Sequence, residues 1–353
     1  MTHLSRREFL ENSMLTTAAA ALAGSAARTA LALEQSSSPG EKLRIAVLGL
    51  NGRGQDHLGG FMRRKDCEVV AVCDPDSEVG HKKGVEVVEK ATGKKPVYHQ
   101  DLRAVMDDKS IDIVTIATPN HWHSLAAIWA LQAGKDVYCE KPVSHNVLEG
   151  RRVVDAARKH KRICQTGTQS RSMPGTRELM AFLHSGGIGE ITLARGLCYK
   201  SRPSIGARGE YKAPESVDYN LWCGPAPMAR LTRPRFHYDW HWQWDYGNGD
   251  LGNQGIHQMD LARWGLGKAD IGTSVVSYGG RLGYVDAGET ANTQVSIHDY
   301  GDKLLVFEVR GLPTDPYRGV GVGVVFEGTN GYAVMPSYSG GVVFDKDGNQ
   351  VRK

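Results

Sequence analysis

The chain has 353 residues, with 43 Lys and Arg against 39 Asp and Glu, a net charge of +4, and 42 glycines. That length suggests two domains, at roughly 100–200 residues each. No run reaches the roughly 18 apolar residues of a membrane span, and no basic block stands out, so an integral membrane body and a nucleic-acid partner are both excluded. The six cysteines, at positions 67, 73, 139, 164, 198 and 223, include no CxxC spacing and mostly sit in apolar runs. They are read as small buried hydrophobes with reduced thiols.

The first 32 residues read as an address rather than as structure. Ser5-Arg6-Arg7-Glu8-Phe9-Leu10 is followed by the small, apolar run Met14 to Ala27 and the cleavage-like Ala30-Leu31-Ala32. A charged start, a short apolar stretch and a small-x-small site describe a signal peptide. The paired arginines before Phe9 resemble the twin-arginine signature, whose pathway exports folded proteins, so a periplasmic destination is expected. Residues 33–41, rich in serine, read as a linker.

Between 42 and 166, short apolar runs alternate with helical stretches, the pattern of a parallel sheet wrapped by helices. Strands are expected at Leu43–Leu48, Glu68–Cys73, Ile111–Ala117, Asp136–Cys139 and Arg162–Thr166. Helices are expected from the turn after Leu48 through Arg64, and at Glu78–Thr92, Asp101–Asp107, Ser124–Ala133 and Leu148–His160. The turn Gly49-Leu50-Asn51-Gly52-Arg53-Gly54 lies between a strand and a helix, where glycines let the backbone approach a pyrophosphate at the helix N-terminus. It is an imperfect GxGxxG, because Asn51 takes the middle glycine's place beside Gly52. Asp74 ends the second strand, where a carboxylate can accept the hydroxyl hydrogen bonds of an adenosine ribose. It would repel a 2′-phosphate, so NAD is expected over NADP, with Arg53 the residue that could reverse this.

Two more loops fall at strand ends: Thr118-Pro119-Asn120-His121-Trp122-His123 and Glu140-Lys141-Pro142. No carboxylate or cysteine completes a set around His121 and His123, so no metal is expected. Lys141, fixed between a carboxylate and a proline, has a tunable pKa and reads either as an active-site amine or as a surface lysine.

The turn at 49–54, Asp74, the loop from Ala117 to His123 and Glu140-Lys141-Pro142, in this order, resemble the Gfo/Idh/MocA oxidoreductases. The resemblance implies an α/β chain: a Rossmann dinucleotide-binding domain over 42–166, then an α+β domain with a large open, mostly antiparallel sheet over 167–353. It implies a nicotinamide site built from Gly49, Asn51, Gly52, Arg53, Gly54, Asp74, Thr118, Pro119, Asn120, His123, Glu140, Lys141 and Gln169. Lys141 would lie near both nicotinamide and substrate.

In the second half a helix is expected at Gly175–Ser185 and strand-rich sequence from Glu190, interrupted by the loop Ser201–Pro214. Four of the seven tryptophans lie between Trp222 and Trp244. Tyr238, Trp240, Trp242 and Asp245 offer aromatic faces and a carboxylate to a carbohydrate, or form a buried corner or subunit contact. Asn253 and His257, four residues apart, share one face of a helix opening after Gly249. The resemblance implies Asp-x-x-x-His at this place. His257 matches and is a candidate for catalysis and for substrate contact, while Asn253 cannot act as a base and can only orient a hydroxyl. Asp250 and Asp260 are candidate substitutes.

Strands are then expected at Thr273–Tyr278, Thr293–His298, Leu304–Val309, Val320–Glu327, Tyr332–Met335 and Gly341–Phe344, with a turn at Asp345–Asn349. The resemblance implies a closing helix beyond this turn, so the expectation is either a short branch of the family or a truncated second domain. Export of a nicotinamide enzyme implies a cofactor that stays bound. The expected function is therefore hydride transfer between a sugar or polyol hydroxyl and a tightly held NAD. The alternatives are a NAD-dependent glycoside hydrolase using transient oxidation, and an inactive cofactor- or sugar-binding protein. A homo-oligomer is expected by resemblance.

Overall fold

The computed structural model describes residues 42–352. The expected signal at 1–32 and linker at 33–41 lie outside the described residues.

Six parallel strands form the first sheet: β1 (Leu43–Leu48), β2 (Cys67–Cys73), β3 (Val97–His99), β4 (Ile113–Ile116), β5 (Asp136–Cys139) and β6 (Cys164–Thr166), in the order β3-β2-β1-β4-β5-β6. β1 lies centrally, and Ile45 to Leu48 are fully buried because helices cover both faces. The covering helices are α1 (Gly54–Met62), α2 (Ser77–Val79), α3 (Glu86–Thr92), α4 (Leu102–Asp107), α5 (Asn120–Gln132) and α6 (Val147–His160). The strand order reverses between β1 and β4, so the crevice at their carboxyl ends is where such a sheet takes a ligand.

Local chemistry sets these boundaries. The Asp76 carboxylate accepts from the Glu78 and Val79 N–H groups and starts the helical run, and Gly93 ends it at φ 73°. That run is not one α-helix, because Gly80–Val85 between α2 and α3 is π-helical. The segment expected as a loop at 118–123 is also corrected: α5 begins at Asn120, directly after Pro119. The three residues of β3 were too few to carry a strand pattern.

The second sheet has eight strands: β7 (Ile191–Cys198), β8 (Ser274–Gly280), β9 (Thr293–Asp299), β10 (Leu304–Arg310), β11 (Val322–Gly328), β12 (Gly331–Met335), β13 (Val342–Asp345) and β14 (Gln350–Arg352). Their order is β14-β13-β12-β11-β7-β10-β9-β8, antiparallel except where β10 pairs with β7. Helices α7 (Pro174–His184) and α9 (Ile256–Gly265) cover one face. There Leu179, Leu183 and Leu261 pack with Phe307, Val324 and Phe326 in one apolar core.

An irregular run from about 201 to 249 reaches back to the first sheet. It contains α8 (Tyr219–Cys223) and a 3₁₀ turn at Asp239–Trp242. The Ser77 N–H donates to the Ser216 carbonyl (2.9 Å), the Asp218 N–H donates to Pro75 (2.9 Å), and His237 Nε2 lies 3.0 Å from Asp76. This run roofs the carboxyl ends of β1 and β2. Among the described residues, no helix is long and apolar enough to cross a membrane.

Candidate active site

A cleft of about 320 Å³ lies under that roof. Its floor is the β1–α1 turn, Asp74, the β4–α5 junction and Glu140-Lys141; its far wall is Trp222, His237, Tyr238, Trp240 and His241, with Asn253 at one end.

The turn is shaped by close backbone approach. Gly49 has φ +80°, and a Cβ there would stand 2.6 Å from the Ala117 backbone. A Cβ on Gly54 would stand 1.9 Å from the Gly49 carbonyl oxygen, so α1 starts directly against the turn. Gly49→Ala is therefore expected to lower stability by roughly 1–3 kcal/mol from the backbone conformation, and more from the overlap, read as a lower urea midpoint.

At one end, Asp74 is buried and accepts from the Leu50 N–H (2.9 Å) and the Asp76 N–H (3.0 Å). Burial raises its pKa to about 6, against those two hydrogen bonds and the charge of Lys83. Arg53 does not serve this end. Its guanidinium donates to Glu140 (3.0 Å), Asp56 (2.9 Å) and Gln169, pointing along the cleft toward Lys141. The residue that could have neutralised a 2′-phosphate is thus committed elsewhere. Asp74→Ala is expected to weaken NAD binding by about 10- to 100-fold, the worth of hydrogen bonds to a charged group, and to narrow discrimination against NADP, both read by titration calorimetry.

At the other end, Glu140 is buried. Its carboxylate only accepts, so His57 Nε2 (3.1 Å) carries its own proton, while the Thr115 hydroxyl pairs with His57 Nδ1. Burial opposes ionisation of Glu140, but His57 and Arg53 outweigh it and hold the pKa near 2. Lys141 follows, joined to Pro142 by a cis peptide. Its Nζ donates to the Asn253 carbonyl (2.6 Å) in the π-helical turn Leu251–Gly255. Burial lowers the Lys141 pKa, with Glu140 opposing and Arg53 adding to the shift.

Asn120 donates to Asn248 (3.1 Å), and the His123 ring nitrogens meet the carbonyls of Pro142 (2.6 Å) and Thr118 (2.8 Å). His123 therefore ties the β4 loop to the Lys141–Pro142 peptide. His121 instead faces the Trp222 and Tyr246 carbonyls.

The structure thus gathers Gly49, Asn51, Gly52, Arg53, Asp74, Thr118, Pro119, Asn120, His123, Glu140, Lys141, Asn253, Tyr238 and Trp240 around one cleft. It places the other expected residues elsewhere. Gly54 packs behind the turn, and Gln169 holds Arg53. Trp242 is buried with Ile205 and Ala287, because residues two apart on a 3₁₀ turn point in different directions and it faces away from Trp240. Asp245 lies in a separate hollow with His145 and Glu149. His257 is buried behind the cleft wall with its ring against Tyr338 (centroids 5.1 Å apart). Asp250 and Asp260 are no substitutes for an aspartate base: Arg202 takes Asp250 (2.6 and 2.9 Å) and Arg171 takes Asp260 (2.7 and 2.8 Å), each with two hydrogen bonds. Leu221, Trp222, His237 and His241 were not singled out as site residues, because only the roof's return over the first sheet brings them there.

Comparison with known proteins decides the family. A model described as oxidoreductase family, NAD-binding Rossmann fold, matches residues 43–168, and one described as oxidoreductase family, C-terminal alpha/beta domain, matches 205–302, together more than half of the chain. The chain belongs to the Gfo/Idh/MocA oxidoreductase family. Its first sheet is an NAD-binding Rossmann fold, and the turn, Asp74 and Lys141 lie within the matched residues. Inositol 2-dehydrogenase of Salmonella typhimurium is 30% identical over 177 residues, 50% of each chain. Levoglucosan dehydrogenase of Pseudarthrobacter phenanthrenivorans is 29% identical over 178 residues, 50% of this chain and 38% of that protein. The chain thus spans half or less of the length of these relatives. Among solved structures, the WlbA dehydrogenase of Bordetella pertussis, in complex with NADH and UDP-GlcNAcA, aligns with a TM-score of 0.64 at 22% identity, covering 85% of this chain and 80% of that one.

Proposed function

We propose that this chain is a NAD-dependent oxidoreductase acting on a CH–OH group of a sugar or cyclic polyol. The observation that carries the reading is Lys141, a half-buried amine just past the end of β5 whose Nζ reaches the Asn253 carbonyl at 2.6 Å and so joins the nucleotide sheet to the second half. The residues present fit the cofactor. The Gly49–Gly52 turn offers backbone N–H groups to a pyrophosphate, and Asp74 offers a carboxylate to a ribose. When bound, NAD supplies the hydride acceptor.

The chain's own groups handle the proton. With its pKa lowered by burial, Lys141 can take a proton at Nζ from the substrate hydroxyl. Burial, with the charge of Lys141 adding, pushes the His257 pKa down to about 4, so this ring behind the wall is the weaker base of the two. Asn253 can orient a hydroxyl through its amide.

The relatives, an inositol and a levoglucosan dehydrogenase, support this substrate class. The reading extends to the first 32 residues as a twin-arginine leader, a periplasmic destination and a cofactor carried inside the folded protein, on the strength of Arg6-Arg7 and the apolar run after them. It also extends to a homo-oligomer.

The test is to denature the purified protein and identify the released nucleotide by mass spectrometry. Nicotinamide absorbance is then followed with polyols and sugars, beside cleavage of chromogenic glycosides. The expected result is NAD in the first measurement and an absorbance change without glycoside cleavage in the second. Absence of nucleotide sinks the reading; cleavage without net redox change replaces it with the hydrolase.

A further inference from the structure

The roof contains a histidine that the mechanism above does not use. His241 lines the cleft that also holds Lys141 and Asn253. Its Nδ1 is hydrogen-bonded to the Tyr238 carbonyl, which can only accept, so Nδ1 carries the proton. Nε2 is left with a lone pair. Its ring lies on Trp240 (centroids 3.6 Å apart, planes 21° apart) and beside Tyr238 (4.7 Å).

The 3₁₀ turn carrying His241 is held from several sides. Tyr238 before it adopts φ 69°, an uncommon conformation for a residue with a side chain, and this aims its carbonyl at the ring. The Tyr238 hydroxyl accepts from Arg202 (3.4 Å), which is itself held by the buried Asp250. Asp239 is fully buried and takes two hydrogen bonds from Arg235 (2.7 Å each), and Trp242 is sunk in its own apolar cluster. The ring therefore has a fixed place, plane and tautomer.

We propose that His241 is a specificity residue whose Nε2 accepts a hydrogen bond from one ring hydroxyl of a polyol or sugar lying between Lys141 and the Trp240–Tyr238 wall. The inference rests on the proposed function and adds which hydroxyl-facing group selects the substrate. Its chemistry is that of a permanent acceptor. Burial, with Lys141, Arg202 and His123 facing it, pushes the His241 pKa down to about 3, so the ring keeps its lone pair at any ordinary pH. A group so reluctant to take a proton is a poor base and a good reader of a donor. An acceptor fixed in the half-buried wall of a cleft disfavours an analogue that lacks the matching hydroxyl, because Nε2 is then left facing it unpaired.

The test uses the cofactor-bound protein, with myo-inositol, levoglucosan and N-acetylgalactosamine titrated separately and intrinsic tryptophan fluorescence as the readout. At least one probe is expected to perturb the emission. His241→Ala should weaken that probe's binding about 10-fold, and His241→Gln, which keeps an acceptor at similar reach, should restore most of it. With a probe that turns over, KM should rise in His241→Ala while kcat changes little. The deoxy analogue lacking the recognised hydroxyl should lose affinity for the wild-type protein but no further affinity for His241→Ala. Unchanged binding in His241→Ala overturns the proposal, as does a collapse of kcat at constant KM, which would make the residue a base. Silence from all three probes also overturns it. Failure of the nucleotide reading would show separately, in the mass spectrum of the denatured protein.

Discussion

Lys141→Ala is expected to lower turnover by about 10²- to 10⁴-fold, the usual worth of a positioned acid–base group, while the nucleotide stays bound. The separation follows from geometry. The residues proposed to hold the nucleotide line the cleft from Asp74 to Thr118, whereas the Lys141 amine stands against the Asn253 carbonyl. Lys141→Arg should not rescue turnover, because a guanidinium keeps its proton and cannot take another. A pH profile gives the sharper reading. Burial depresses the Lys141 pKa below its ordinary 10.5, so kcat/KM for oxidation should climb with pH along a limb that reports its deprotonation below that value. Lys141→Ala should lose the limb altogether. Loss of the nucleotide in that variant would instead make Lys141 a cofactor-binding residue.

The parts of this arrangement legible in the sequence are those whose cause is local. β1 could be read to the residue because an apolar run between Lys42 and Gly49, broken only by the exposed Arg44, has one use in an alternating α/β pattern. The strand-end placement of Lys141 was legible because strand, carboxylate and proline sit next to it in the chain. His257 shows the opposite case. Its spacing from Asn253 suggested a pair facing a substrate, yet the π-helical turn Leu251–Gly255 alters the helical phase between them. Asn253 reaches the cleft, and His257 turns toward Tyr338. Trp240 and Trp242 divide similarly, one on the cleft and one in the interior, because a 3₁₀ turn separates neighbours that a composition count treats as one aromatic patch. The roles of Arg53, Asp250 and Asp260 depended on partners 87, 48 and 89 residues away, which no local pattern encodes.

Glu140→Gln is expected to destabilise the protein by about 3 kcal/mol, the lower end for breaking a buried ion pair by removing one partner. The carboxylate is nearly inaccessible and its oxygens accept from His57, Arg53 and the Lys141 backbone N–H. A glutamine keeps the shape, but it replaces one acceptor with an N–H₂ group facing donors and removes the charge that those donors balance. The lower end applies because the Arg53 side chain is 41% exposed and can turn to water once released, whereas His57 is left behind. The pH dependence has a definite sign. Glu140 is held near 2 when folded, against an ordinary 4.5, so its contribution is fully present above 4.5 and is lost as pH falls toward 2. Urea midpoints of wild type and Glu140→Gln should therefore differ by a constant amount from pH 7 to about pH 5 and converge in more acid solution. Equal stability at pH 7 would show that the pair contributes nothing net. The same substitution reaches the reaction through Lys141. Glu140 favours the charged amine, so its removal should lower the Lys141 pKa further and move the rising limb of kcat/KM to lower pH. A limb that stays in place would mean that the group titrating there is not Lys141.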